Sequence, residues 1–240
     1  VQAANKKIDR SFLFKDYDID MQRKFNLDLA KYIGFDFNRG VMSETEHPYT
    51  TNLHNKDVRI TNHYYLNNVE SALFSTIHES GHAIYEMGIS DQITMSAIGT
   101  GVSMGMHESQ SRFYENMIGR NPLFWKKVYP KLQETFNEQL KDVTLDDFTL
   151  AINHAKSSFI RTEADELTYA LHIMVRYEIE KKMFMEEIDY DTLPQLWNDL
   201  YKEYLGIIPK DDREGILQDM HWAGGMLGYF PSYAIGSAIA

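Results

Sequence analysis

One helical run constrains this chain more than any other feature. From Asn67 to Gly88, the apolar residues Val69, Leu73, Ile77 and Ile84 line one side of a predicted helix. Asn67 and Asn68 offer N-caps, and Gly88 offers a stop. Inside this run stands His78-Glu79-Ser80-Gly81-His82. Residues i and i+4 lie about 40° apart around a helix axis, so both imidazoles can reach one ion. Glu79 is turned about 100° from His78, beside such an ion, where a base for an activated water belongs. With 9 His in 240 residues, chance supplies about 0.02 matches to H-E-x-x-H. The motif therefore weighs heavily.

Composition narrows the metal chemistry further. There is no cysteine, which excludes a disulfide scaffold, thiol catalysis and cysteine-bound zinc or iron–sulfur sites. Any metal must sit on His and carboxylate. With 24 Lys+Arg against 35 Asp+Glu, the net charge is −11. That balance argues against nucleic acid or an anionic membrane as the main partner. No run approaches the roughly 18 apolar residues of a membrane span. The chain opens at Val1 rather than Met and closes on an apolar tail, Gly228 to Ala240. We read it as a piece of a longer protein, lacking N-terminal and C-terminal helical parts.

The rest of the chain is mostly helical in pattern. Met21, Phe25, Leu29 and Ile33 recur every four residues before Gly34. Residues 36–56 are turn-rich and read as loop, and 57–65 suit a short strand. Glycine-rich 90–106 reads as loop, and 107–119 as a short helix. Helix is expected over 122–141, from the Thr144 cap, over a long stretch 157–186, over 192–205 and over 213–222. No repeated βα pattern appears. The expected fold is mainly α, with a few short strands, in a single domain over 1–240.

A catalytic zinc takes three protein ligands and one open position. Gly88 occupies the place of a third His in the longer HExxHxxGxxH motif, so a Glu on a later helix is the other common answer. His107-Glu108-Ser109-Gln110-Ser111-Arg112 supplies Glu108. Glu115, seven residues on, shares its helix face and is a candidate to orient a ligand His. Further polar groupings stand at 160–166, 215–222 and 228–233. Taken alone, these read equally as a salt-bridged surface, a polar helix end and core tyrosines. Gly99, Gly101 and Gly105 lack the strand–turn–helix setting of a phosphate loop. His54, His63, His154 and His172 stand alone and read as structural.

Together these stretches resemble the M32 family of metallocarboxypeptidases. His47-Pro48-Tyr49 stands for HPF, with Tyr where Phe is usual, and Asp57-Val58-Arg59-Ile60-Thr61 stands for DxRxT. HESGH, HESQSR, IRTEAD (160–165), GILQDMHW (215–222) and GYFPSY (228–233) follow in order. Family members are roughly twice as long as this chain. The resemblance implies a zincin-like catalytic domain with its short strands at the cleft, a Zn²⁺ or Co²⁺ ion, cytoplasmic location and a homodimer. It also implies release of single residues from the free C-terminus of peptides. On this reading His78, His82 and Glu108 hold the metal, Glu79 is the general base and Tyr229 stabilises the oxyanion. Arg161 and His221 would take the terminal carboxylate, oriented by Asp165 and Asp219. The strand carrying Arg59 would pair with extended substrate. The rival readings are an M3-like oligoendopeptidase and a non-catalytic metal-binding fragment.

Overall fold

The computed structural model describes residues 8–185 and 188–240. The non-Met start at Val1 and the expected helix end at residue 186 lie outside the described residues. The chain is mainly helical and divides into two compact units, one running to Asn153 and the other from His154 to Ser237. No helix among the described residues is long and apolar enough to cross a membrane.

The first unit is built on a buried helix. Helix α1 (Ile19–Ile33) starts at the Asp18 cap and stops at Gly34, whose φ of 114° suits glycine. Three short strands follow: β1 (Gly40–Glu44), β2 (Thr50–His54) and β3 (Asp57–Asn62). Their order is β1-β3-β2, with β1 parallel and β2 antiparallel to β3. Val58 and Ile60 of β3 turn into the core with Ala30, Phe35, Ala83 and Met87. Helix α2 (Val69–Met87), capped by Asn68, lies beneath the sheet. Its Leu73 and Ile77 join Phe25, Trp125, Phe136 and Phe148 in the larger core.

Helix α3 (Met104–Arg112) packs on α2 and runs directly into a π-helical turn, Phe113–Ile118. Helices α4 (Pro122–Thr135), α5 (Asn137–Leu140) and α6 (Leu145–Ile152) complete this unit, α6 opening on a capping box of Thr144 and Asp147.

Gly81, inside the HESGH motif, sets how closely α2 and α3 approach. A Cβ there would stand 2.8 Å from Ser111 Cα and 2.9 Å from the Gln110 carbonyl. Only a residue without a side chain lets α3 cross at this distance.

In the second unit, helix α7 (Tyr169–Met185) packs on α8 (Leu193–Leu205) through Val175, Ile179, Trp197 and Tyr201. Helix α9 (Pro231–Ile239) follows an irregular stretch. The expected long helix over 157–186 is corrected here. Residues 154–168 are irregular apart from a 3-10 turn at Arg161–Glu163, and α7 begins only at Tyr169. The expected helix over 213–222 contains one 3-10 turn, Ile216–Gln218. The loop expected over 36–56 holds β1 and β2.

Candidate metal centre and arginine cluster

Helices α2 and α3 bring His78, His82 and Glu108 together. One ligand atom from each lies within 4.8 Å of the others. Glu108 Oε2 is 3.6 Å from His78 Nε2 and 3.4 Å from His82 Nε2. Donors at about 2.0–2.1 Å from a tetrahedral ion stand about 3.3–3.4 Å apart. The spacing and the donor set therefore fit a divalent cation of the zinc type.

Each imidazole is held from behind. His78 Nδ1 lies 2.7 Å from Glu115 Oε2, and Arg112 Nη1 donates to the same oxygen at 2.9 Å. The π-helical turn carries Glu115, a backbone form often found at functional sites. His82 Nδ1 lies 2.7 Å from His107 Nδ1, and His107 Nε2 lies 2.6 Å from Glu86 Oε1. Glu79 is buried, and Thr50 on β2 donates to its Oε2 at 2.5 Å.

The charge state of the pocket favours a cation. Burial opposes charge on Glu115, but Arg112 and His78 overrule it and hold the carboxyl well below its usual range. Glu108 is also lowered: burial raises it, and His78 and His82 win. Burial likewise opposes charge on His78, yet Glu108 and Glu115 raise the imidazole to about 9. Without a metal, His78 carries a proton in a ring of carboxylates, and a bound cation would take the place of that charge.

The second unit holds a cluster of opposite sign. Asp219 bridges two buried guanidinium groups. Arg161 Nη2 donates to Oδ1 at 2.8 Å, and Arg176 Nε donates to Oδ2 at 2.6 Å. Arg161 also donates from Nη1 to the Tyr169 hydroxyl at 3.1 Å. Of its five N–H groups, the described contacts engage one on each nitrogen, leaving one each on Nη1 and Nη2. Gln218 Oε1 accepts from the Arg161 backbone N–H at 2.8 Å and from Arg176 Nη2 at 3.0 Å. His221 Nδ1 lies 3.7 Å from Asp219 Oδ1, and its Nε2 lies 3.0 Å from the Tyr233 hydroxyl. The Tyr229 ring lies 5.4 Å from the ring of His221.

Two expected site residues are placed elsewhere. Asp165 does not pair with Arg161. Without a continuous helix there is no i,i+4 face, and Asp165 instead accepts from the backbone of Lys156, Leu167 and Thr168. Arg59 is half-exposed and paired with its neighbour Asp57. Its strand β3 is flanked on both sides, so it has no edge for a substrate; β2 is an edge strand. Sequence reasoning missed Glu86, His107, Thr50 and Arg176. For Glu86 there was a signal, since it stands four residues after His82 on the same helix.

A family model described as "Carboxypeptidase Taq (M32) metallopeptidase" matches residues 1–240. The chain is 52% identical over 236 residues to Carboxypeptidase 1 of Bacillus subtilis, covering 98% of this chain and 47% of that one. It is 42% identical over 240 residues to Thermostable carboxypeptidase 1 of Thermus thermophilus, covering 100% of this chain and 47% of that one. The crystal structure of the M32 carboxypeptidase from Deinococcus radiodurans R1 superposes with a TM-score of 0.93 at 39% identity, over 98% of this chain and 47% of that one. The chain spans about half the length of the curated relatives it matches.

Proposed function

The chain belongs to the M32 family of metallopeptidases, and on that premise we propose that it carries the catalytic residues of a metal-dependent carboxypeptidase. The reaction is release of single amino acids from the free C-terminus of peptides. One observation carries this reading: the ligand atoms of His78, His82 and Glu108 converge within 4.8 Å, with Glu79 on the same helix. We take the ion to be Zn²⁺ or Co²⁺ and the enzyme to be a cytoplasmic homodimer, as the family resemblance suggests.

When bound, such a cation supplies Lewis acidity, lowering the pKa of a water and polarising a carbonyl. Glu79 takes a proton from the attacking water and delivers it to the leaving amine. The Thr50 hydroxyl occupies one of its oxygens, which leaves the other for that transfer. Glu115 holds His78 with Nε2 turned toward Glu108. The free edge of β2 supports extended substrate backbone. Arg161 and His221 recognise the terminal carboxylate, with Asp219 holding Arg161 in place. Tyr229 donates to the oxyanion.

Cleavage of a free-acid peptide against its C-terminally amidated form tests this reading. The free acid should be turned over and the amide spared. Equal cleavage of both would remove the carboxylate anchor and favour an oligoendopeptidase.

A further inference from the structure

We infer that His107 and Glu86 are positioning residues for His82, acting as an imidazole–carboxylate relay that decides which nitrogen His82 presents to the cation. This rests on the reading of His78, His82 and Glu108 as ligands.

The two ligand imidazoles are held differently. His78 meets a carboxylate directly, through Glu115. His82 meets a second imidazole. Two ring nitrogens 2.7 Å apart need one proton between them, so one donates and the other accepts. The far side of His107 settles the direction. Its Nε2 lies 2.6 Å from Glu86 Oε1, and an ionised carboxylate only accepts. His107 Nε2 therefore carries hydrogen, and a neutral His107 presents a bare Nδ1. His82 must then donate from Nδ1, which leaves its Nε2 lone pair bare, 3.4 Å from Glu108 Oε2. That is the atom a cation needs, and the whole chain has one consistent protonation pattern once His82 is a ligand.

The relay is anchored on several elements. Glu86 is almost fully buried, and it accepts from Asn52 Nδ2 at 2.8 Å and from the Gly101 backbone N–H at 3.3 Å. A Cβ on Gly101 would stand 2.6 Å from His107 Cδ2, so the loop there closes on the relay without room for a side chain. Tyr85 sets its ring edge-on to His107, with centroids 5.2 Å apart.

The test is cation affinity, read by competition with a chromophoric chelator, together with the visible absorption spectrum of the Co²⁺-loaded protein. Loss of an outer partner of a ligand His weakens metal binding about 10–100-fold. His107→Leu should fall in that range and change the Co²⁺ spectrum, and His107→Gln, which can still accept from His82, should recover part of the affinity. Glu86→Gln keeps the shape and reverses the relay, because its amide can donate to His107; it should weaken binding by a similar factor. It also keeps the test decisive if His107→Leu fails to fold. Wild-type affinity and an unchanged Co²⁺ spectrum in both Glu86→Gln and a folded His107 variant would overturn the relay while leaving the ligand set intact. Undiminished affinity in His82→Ala would overturn the ligand reading, and the relay with it.

Discussion

The two buried polar centres of this chain are built with opposite signs. In the first unit, Glu79, Glu86, Glu108 and Glu115 surround three imidazoles, and Arg112 is the guanidinium paired with them. In the second, Arg161 and Arg176 share the single carboxylate of Asp219. Burying unbalanced charge is costly unless a partner completes it. The first centre is therefore completed by a cation and the second by an anion. A carboxypeptidase needs both: a metal for the chemistry and a cationic anchor for the chain end. The contrast also shows how a centre's sign constrains its neighbours. Around the cation site each imidazole must be backed by an acceptor. Around the anion site, a carboxylate stacks the guanidinium groups in place.

The sharpest way to break this contrast is to disarm the first centre without changing its shape. Glu79→Gln should retain the bound metal and lose about 10²–10⁴-fold in kcat, the usual contribution of a general base. Metal content and turnover measured together check it, and wild-type turnover would rule out the base. For the second centre, Arg161→Ala removes one cation and leaves Asp219 paired with Arg176. Losing one partner of a buried charged contact costs about 2–5 kcal/mol. We expect a loss of at least tenfold in kcat/KM on free-acid peptides and little change on amidated ones. A uniform loss on both would point to a structural role.

Gly81→Ala sets local preference against packing. Alanine favours a helix by about 1 kcal/mol over glycine, yet its Cβ would collide with the backbone at Gln110 and Ser111. We expect α3 to shift, Glu108 to withdraw, and cation affinity to fall about tenfold or more, in line with a disturbed ligand set. Chelator competition reads this directly, and unchanged affinity would show that the helices tolerate the methyl group.

The second centre also predicts a pH effect absent from the first. His172 is fully buried, its Nδ1 lies 3.0 Å from the Tyr201 hydroxyl, and its Nε2 has no partner among the described residues. Burial, aided by Arg176 and Arg161, pushes it down to about 3. The unfolded chain binds this proton at about 6.5. The stability this group contributes is thus fully present above about pH 6.5 and is lost as pH falls toward its folded value, at up to about 1.4 kcal/mol per pH unit. Denaturant unfolding of wild type and His172→Gln between pH 7 and 4 should show a shallower slope in the variant. The smallest effect belongs to Thr50→Val, which frees one oxygen of Glu79. Losing one hydrogen bond of about 1 kcal/mol should lower kcat a few-fold, and Thr50→Ser should restore it.

Some of this was legible in the sequence for local reasons. The Asn68 cap, the Thr144 capping box and the helical period of α2 all act within a few residues. Strands β1 and β2 were hidden because their polar, largely exposed side chains carry no alternating pattern. Residues 154–168 misled because the i,i+4 spacing of Arg161 and Asp165 suggests a helix. Long-range bonds to Gln218 and Asp219 hold Arg161 in another backbone form. The 215–222 stretch failed for the reciprocal reason, since Gln218 also donates to the Phe159 carbonyl at 2.9 Å.

The sequence by itself determined the kind of site. It has no cysteine, it sets two histidines one helical turn apart, and it places a glutamate beside the first. Those are consequences of composition and of a 3.6-residue period, and they hold wherever the helix lies. The tertiary structure decided the partners. It put Glu86 behind His82 through His107, chose Asp219 over Asp165 for Arg161, and gave β2 rather than β3 the free edge. Each of these depends on which distant segments pack together, and at Gly81 on how closely, which no local spacing records.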